Sequence, residues 1–239
     1  MKRFLAVGCS HGGKALSPAL EAVVSFRQKF KPHTVIHLGD AYDTAAFRSG
    51  AAYGKGDKDE GDDIGLDCRS AASFLRELHP DVFCHGNHEH RCTVLSEHPS
   101  SVIALAASAC LEELTAALPR KCIQRRWSIY DNWHTLGNYR FGHGFLFGEQ
   151  FLRDSAETFG NCCVAHAHRA GEANGRTLTP TRAVCVGTLA DIPAMGYAET
   201  RRSTLAWSHG FAYGEYNDTE ARVHLHQWPR GEKLWQIPN

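Results

Sequence analysis

Five short clusters of His, Asp and Asn, each placed directly after a short apolar run, constrain this chain more than any other feature. They read Cys9-Ser10-His11, Gly39-Asp40-Ala41-Tyr42-Asp43, Gly86-Asn87-His88-Glu89, Gly142-His143-Gly144 and His166-Ala167-His168. An apolar run of four or five residues is too short for a helix and reads as a buried strand. Repeated strand-then-cluster units deliver nitrogen and oxygen ligands to one end of a sheet, where open α/β folds build their sites. No packing requirement calls for so many polar side chains at strand ends.

The rest of the chain fits an α/β fold. Residues 4–8 and 34–38 read as strands flanking a helix at 17–30, which Ser17-Pro18 opens. Strand, helix, strand over so short a span makes a parallel βαβ unit. Further helices are expected at 68–78, 99–118 and 149–159, the second capped by Ser100 or Ser101. Further strands are expected at 82–84, 127–130, 138–141 and 162–165, and in the tail at 182–186, 205–213 and 221–227. Residues 48–67, rich in Gly, Asp, Lys and Ala, read as a mobile surface loop. With no repeat, low-complexity tract or linker, residues 1–239 are expected to form one domain, a parallel half followed by a β-rich part from about 177.

Composition narrows the function classes. Lys plus Arg and Asp plus Glu each number 26, so there is no basic field of the kind that drives non-specific nucleic-acid binding. The nine cysteines are odd in number and irregularly spaced, which is no secreted disulfide framework. The apolar stretch at 4–8 is too short for a signal-peptide core or a membrane span. The expected setting is a reducing cytoplasm, of a bacterium or a phage-infected host cell, with no membrane and no obligate protein partner evident.

As chemistry, the clusters suit two divalent cations. Such a pair clamps a phosphate, and it needs a bridging carboxylate, imidazoles and a neutral oxygen donor. Asp40 is the natural bridge, Asn87 supplies a carbonyl oxygen, and His11, His143, His166 and His168 supply nitrogens. In His166-Ala167-His168 an extended backbone would turn both rings to one side. Singly, each cluster has a structural explanation as a turn, a cap or a packed strand residue; five in order do not.

Together the five blocks resemble the calcineurin-like metallophosphoesterase superfamily. Its pattern runs Asp-x-His, Gly-Asp-x-x-Asp, Gly-Asn-His-Asp/Glu, a His often followed by Gly, and Gly-His-x-His. The match spans positions 4 to 170, and the stretch after His168 also resembles the β-rich tail of phage-encoded members. The resemblance implies a four-layer αββα sandwich and a phosphoesterase that hydrolyses monoesters or diesters by attack of a metal-bridging hydroxide. Its substrate would be a phosphorylated small molecule, a nucleotide or nucleic acid. Carried over by position, one metal would be held by Cys9, His11, Asp40 and His168, the other by Asp40, Asn87, His143 and His166. His88 would face the substrate as proton donor or phosphate contact, with Asn87 as a further contact; apart from the resemblance, the Arg91 guanidinium suits a phosphate oxygen, and a solvated or salt-bridged helix residue is the alternative. Asp43 would orient His88 by hydrogen bond.

Two positions depart from the family pattern. Ala165 stands for a Gly, a difference of one methyl group. Cys9 stands where the family has Asp, and a thiolate binds Zn²⁺ or Fe²⁺ well but offers no hard oxygen. Either Cys9 biases the first site among Zn, Fe and Mn towards Zn or Fe, or it does not ligate and leaves that site weak. The second case defines a rival: a catalytically impaired relative acting as a binding or scaffold protein. A phosphatase using Cys9 as nucleophile is disfavoured, because Ser10-His11-Gly12-Gly13 is no phosphate-cradling loop ending in Arg.

Overall fold

The computed structural model describes residues 1–47, 63–196, 202–229 and 231–238. In chain order it contains β1 (Lys2–Val7), α1 (Ser17–Phe30), β2 (Thr34–His37), α2 (Ile64–Leu78), β3 (Val82–Cys84), α3 (Asn87–Leu95), α4 (Ser101–Ala117) and β4 (Ile123–Arg125). Then follow β5 (His134–Leu136), β6 (Tyr139–Phe141), α5 (Phe151–Phe159), β7 (Cys162–Val164), β8 (Gly171–Asn174), β9 (Arg182–Cys185), β10 (His209–Tyr216) and β11 (Ala221–Trp228).

The strands form two sheets, ordered β11-β10-β1-β2-β3-β4 and β5-β6-β7-β9-β8. In the first, β1 to β4 are parallel, and β10 joins β1 antiparallel with Lys2 opposite Tyr216. In the second, β6, β7 and β9 are parallel between antiparallel edges β5 and β8.

Alternation along the strands explains the stacking. Phe4 and Ala6 of β1 turn into the core between the sheets, while Leu5 and Val7 turn outward against α1 and α2. Cys163 of β7 faces the inter-sheet core and Cys162 faces α5. Strands buried on both faces read as continuous apolar runs, which is why these segments show no polar alternation. The adjacent cysteines 162 and 163 point to opposite layers. Helices α1 to α4 cover the first sheet and α5 the second, with Phe151, Ala156 and Phe159 against Cys162 and Val164. The layer order is therefore helix, sheet, sheet, helix, the four-layer αββα sandwich expected. No helix among the described residues is long and apolar enough to cross a membrane.

Several expected elements need correction. The 127–130 strand is absent; that segment is a turn leaving Ile129 and Tyr130 exposed, and the strand is β4, just before it. As an edge strand with little burial, β4 carries no apolar signal. Helix α2 starts at Ile64 rather than 68, because Asp63 accepts N–H bonds from Gly65 and Leu66 as its cap. Positions 63–67 of the expected loop therefore belong to this helix and its cap, while 48–62 lie outside the described residues. Ser100 occupies the N-cap position of α4 without a side-chain cap bond. The 205–213 strand shifts to His209–Tyr216, with Leu205 in a short 3₁₀ segment. Strands β5 and β8 were not expected, and the second half holds a parallel core of its own.

This arrangement places the site. The C-terminal ends of β1, β2 and β3 in one sheet, and of β6 and β7 in the other, lead into the five clusters.

Candidate metal centre

Left-handed backbone bends, rather than extended chain, aim the donors at one point. Cys9, His11, Asp40, His166 and His168 all have φ between 52° and 59°. Non-glycine residues rarely adopt this region, at a cost of roughly 1 kcal/mol or more each. The period-two expectation for His166 and His168 is thus replaced by two left-handed residues on either side of Ala167. Glycine is required beside them. A Cβ on Gly86 would lie 2.2 Å from Asp40 Oδ1, and one on Gly39 (φ 94°) 2.5 Å from the Cys84 carbonyl oxygen.

Among the described residues the convergence produces three donor groups: two share the Asp40 carboxylate, and the third is formed by His11, Asp43 and His88. Cys9, His11, Asp40 and His168 offer ligand atoms within 4.8 Å of one another, as do Asp40, His143 and His166. Asn87 joins the second group, its Oδ1 3.1 Å from His143 Nε2 and 2.9 Å from His166 Nδ1. Cys9, His11, Asp40, His143 and His168 are buried, whereas Asn87 and His166 are half-buried.

The hydrogen-bond directions test whether cations fit. His143 donates from Nδ1 to the Leu38 carbonyl at 2.7 Å, which leaves the Nε2 lone pair pointing inward. That lone pair meets Asp40 Oδ2 at 3.2 Å and the Asn87 oxygen, both acceptors. On the other side, His11 Nδ1 pairs with Asp43 Oδ1 at 3.0 Å, and His11 Nε2 faces His168 Nε2 at 3.0 Å. His168 Nδ1 is buried without a partner. A buried space ringed by acceptors is costly unless something positive fills it. The residues therefore fit a pair of cations, with a sulfur–nitrogen–oxygen donor set on one side and nitrogen and oxygen on the other.

The electrostatics agree. Burial opposes ionisation of Asp40, but His143 and His88 outweigh it and hold the carboxyl well below the usual range. Burial, then the neighbouring His143, lowers His166 to about 4; burial likewise lowers His88 to about 4 and His168 well below its ordinary value. His143 alone is raised: its burial disfavours charge, and Asp40 overrides it. Burial and then Asp40 push the Cys9 thiol well up, so a thiolate there would need a metal to replace its proton.

Asp43 sits differently from expectation. Its carboxylate holds His11 and lies within 4.8 Å of a His88 ring nitrogen, while its main-chain carbonyl accepts from His88 Nδ1. The Thr44 hydroxyl lies 3.3 Å from the same nitrogen. Arg91 donates to the Thr44 hydroxyl at 2.7 Å, so it flanks His88 through Thr44.

Three supporting residues were missed from sequence. Glu89, fully buried, accepts N–H bonds from Asp40, Ala41, Tyr42 and Gly86 and so fixes the loop that carries the shared carboxylate. Its signal was its position three residues after the helix N-cap Gly86, where Glu reaches back to the cap N–H. Asp67 accepts from Gly13, Asp43 and Thr44. Asn132 accepts the His143 N–H at 2.6 Å and donates to the His85 carbonyl. These last two act at long range and leave no local pattern.

No curated protein matches the chain. Among solved structures it is similar to a hypothetical protein from Pyrococcus horikoshii OT3, with 12% identity, 97% of this chain and 90% of that one covered, and a TM-score of 0.48. It is also similar to Yfce, a phosphoesterase from E. coli (14% identity, 93% and 98% covered, TM-score 0.39), and to Chaetomium thermophilum Vps29 (12%, 95% and 95%, TM-score 0.39). The sequence profile of the calcineurin-like phosphoesterases matches residues 2–186, well over half of the chain, and the chain belongs to that family.

Proposed function

We propose that the protein is a dimetal phosphoesterase. The observation that carries this reading is the pair of donor groups sharing Asp40. One cation would be held by Cys9, His11, Asp40 and His168, the other by Asp40, Asn87, His143 and His166. Bound there, divalent cations would neutralise phosphoryl charge and make water acidic enough to supply a nucleophile. Sulfur in the first group favours Zn or Fe over Mn.

The chain's own residues would do the rest. His143 is kept in one tautomer by the Leu38 carbonyl, and His11 by Asp43, so both present Nε2 inward. His88, pinned at Nδ1, has its Nε2 3.8 Å from Asp40 Oδ2, and in its doubly protonated form, which a bound phosphate anion would favour, it would donate from Nε2 to a phosphoryl or leaving oxygen. Arg91, held beside it by Thr44, would approach a phosphate from that flank. The substrate class is a phosphorylated small molecule, a nucleotide or nucleic acid, with monoester and diester both compatible.

The test is hydrolysis of p-nitrophenyl phosphate and bis(p-nitrophenyl) phosphate by protein loaded with Zn, Fe or Mn. Turnover of at least one ester is expected, and Asn87→Ala or His143→Ala should abolish it. Retained turnover in either variant would overturn the assignment. A binding protein with a weakened first site would instead show no turnover with any metal.

A further inference from the structure

Of the donor residues, only Asn87 and His166 reach the surface, so a ligand approaches the centre across these two. At that opening stands Phe147, 72% exposed, its ring centroid 6.1 Å from that of His166. A single exposed Phe is ordinary on a protein surface. This one is set apart by its place and by its fixed backbone. Arg169, the residue after His168, donates to the main-chain carbonyls of Phe147 and Gly148 at 2.5 and 2.6 Å. The Arg169 guanidinium in turn lies 4.5 Å over the ring of Phe151, buried at the start of α5. The segment carrying the ring is thus tied to the residue that follows a proposed ligand. Two residues earlier, Phe145 stacks on Trp127 at 5.5 Å, and Trp127 meets His90 of α3 at 5.1 Å. A second aromatic row, Phe145, Trp127 and His90, therefore leads to the helix that begins with Asn87.

We propose that Phe147 is a stacking platform that makes the centre select phosphoesters carrying a nucleobase. The inference rests on the phosphoesterase reading and names its substrate class. An open ring beside the entrance offers π surface to a planar group linked through one sugar to the phosphorus bound below. Base–aromatic stacking tolerates every base, so the site would discriminate nucleotides from alkyl esters rather than one base from another. The balance of 26 basic and 26 acidic residues supplies no field for a polyanion, which favours a small nucleotide over a nucleic-acid strand.

The experiment compares paired substrates on the metal-loaded full chain. One pair is adenosine monophosphate and glycerol phosphate; the other is adenosine 2′,3′-cyclic phosphate and glycerol 1,2-cyclic phosphate. The wild type should prefer the nucleotide in the pair it hydrolyses. In Phe147→Ala the ratio of kcat/KM between pair members should fall about ten-fold, carried by the nucleotide's KM, and Phe147→Trp should restore it. Calorimetric binding of adenosine monophosphate supplies a readout independent of turnover, with the same order: wild type and Phe147→Trp tight, Phe147→Ala about ten-fold weaker. Equal ratios in wild type and Phe147→Ala, or unchanged nucleotide binding, would overturn the role of Phe147 and leave the phosphoesterase reading standing. Absence of any ester hydrolysis would strike the phosphoesterase reading, and the calorimetry would still decide the stacking.

Discussion

Replacing Glu89 by Gln changes one atom and should cost the protein a large share of its stability. Oε1 accepts from Ala41 and Tyr42 at 2.7 and 3.3 Å, and Oε2 accepts from Asp40 and Gly86 at 2.9 and 2.7 Å. An amide keeps one oxygen and presents N–H to the other pair of donors, so two bonds to a charged acceptor are lost with no water to replace them. Bonds of that kind are worth about 1.5–3 kcal/mol each, and partial relaxation brings the expected loss to about 4 kcal/mol. In a chain of 239 residues, each kcal/mol moves Tm by about 2–4 °C, so the shift should be roughly 8–16 °C. The assay is calorimetric melting of both proteins in chelator at pH 7.5, which removes stabilisation by bound metal. A Tm within about 2 °C of wild type would refute the idea that Glu89 clamps the Asp40 loop as an anion.

Two further outcomes are expected. His37 is buried and neutral, accepting the Gly39 N–H at Nδ1 and facing the Ser10 hydroxyl at Nε2, and its burial, with His143 nearby, lowers its pKa to about 3. Its unfolded value is near 6.5, so its contribution is complete above that pH and is lost as pH falls towards 3. Between pH 7.5 and 4.5 this amounts to about 3 kcal/mol. Urea unfolding in chelator should show a fall of at least that size in the wild type, since the buried His88, His166 and His168 add to it, and a fall smaller by about that amount in His37→Gln; identical falls would contradict it. Asp43→Ala, which frees His11 Nδ1, should weaken Zn²⁺ binding about 10–100-fold in competition with a chromophoric chelator. Unchanged affinity would show that Asp43 does not orient a ligand.

How much of this was legible follows from the range of each signal. Buried strands were legible in apolar runs such as 4–8 and 162–165, because strands covered on both faces need no polar alternation, whereas the αββα layering came from the family resemblance of the five blocks. The donors His11, Asp40, Asn87, His143, His166 and His168 were legible because each sits in a short block after a strand, where local sequence and spatial position coincide. Their backbone was not. His166 and His168 converge through left-handed bends, which no residue type in the block announces. That Asp43 holds His11 as well as standing beside His88 was not legible for a similar reason, since it depends on how two loops from different strands pack. Strand β4 was displaced because an exposed edge strand carries no apolar pattern, while the neighbouring Trp127, Ile129 and Tyr130 mimic one in a turn. Asp67 and Asn132 act on segments 24 and 11 residues away, through single side-chain bonds that no window of sequence displays.

The central claim, two cations bridged by Asp40, is tested most directly by elemental analysis of the purified, untagged protein for Zn, Fe, Mn and Ni. The account predicts about two equivalents per chain, with Zn or Fe prominent because of Cys9, and a loss of metal in Asp40→Ala. One equivalent or none, unchanged on incubation with excess Zn²⁺, would contradict it.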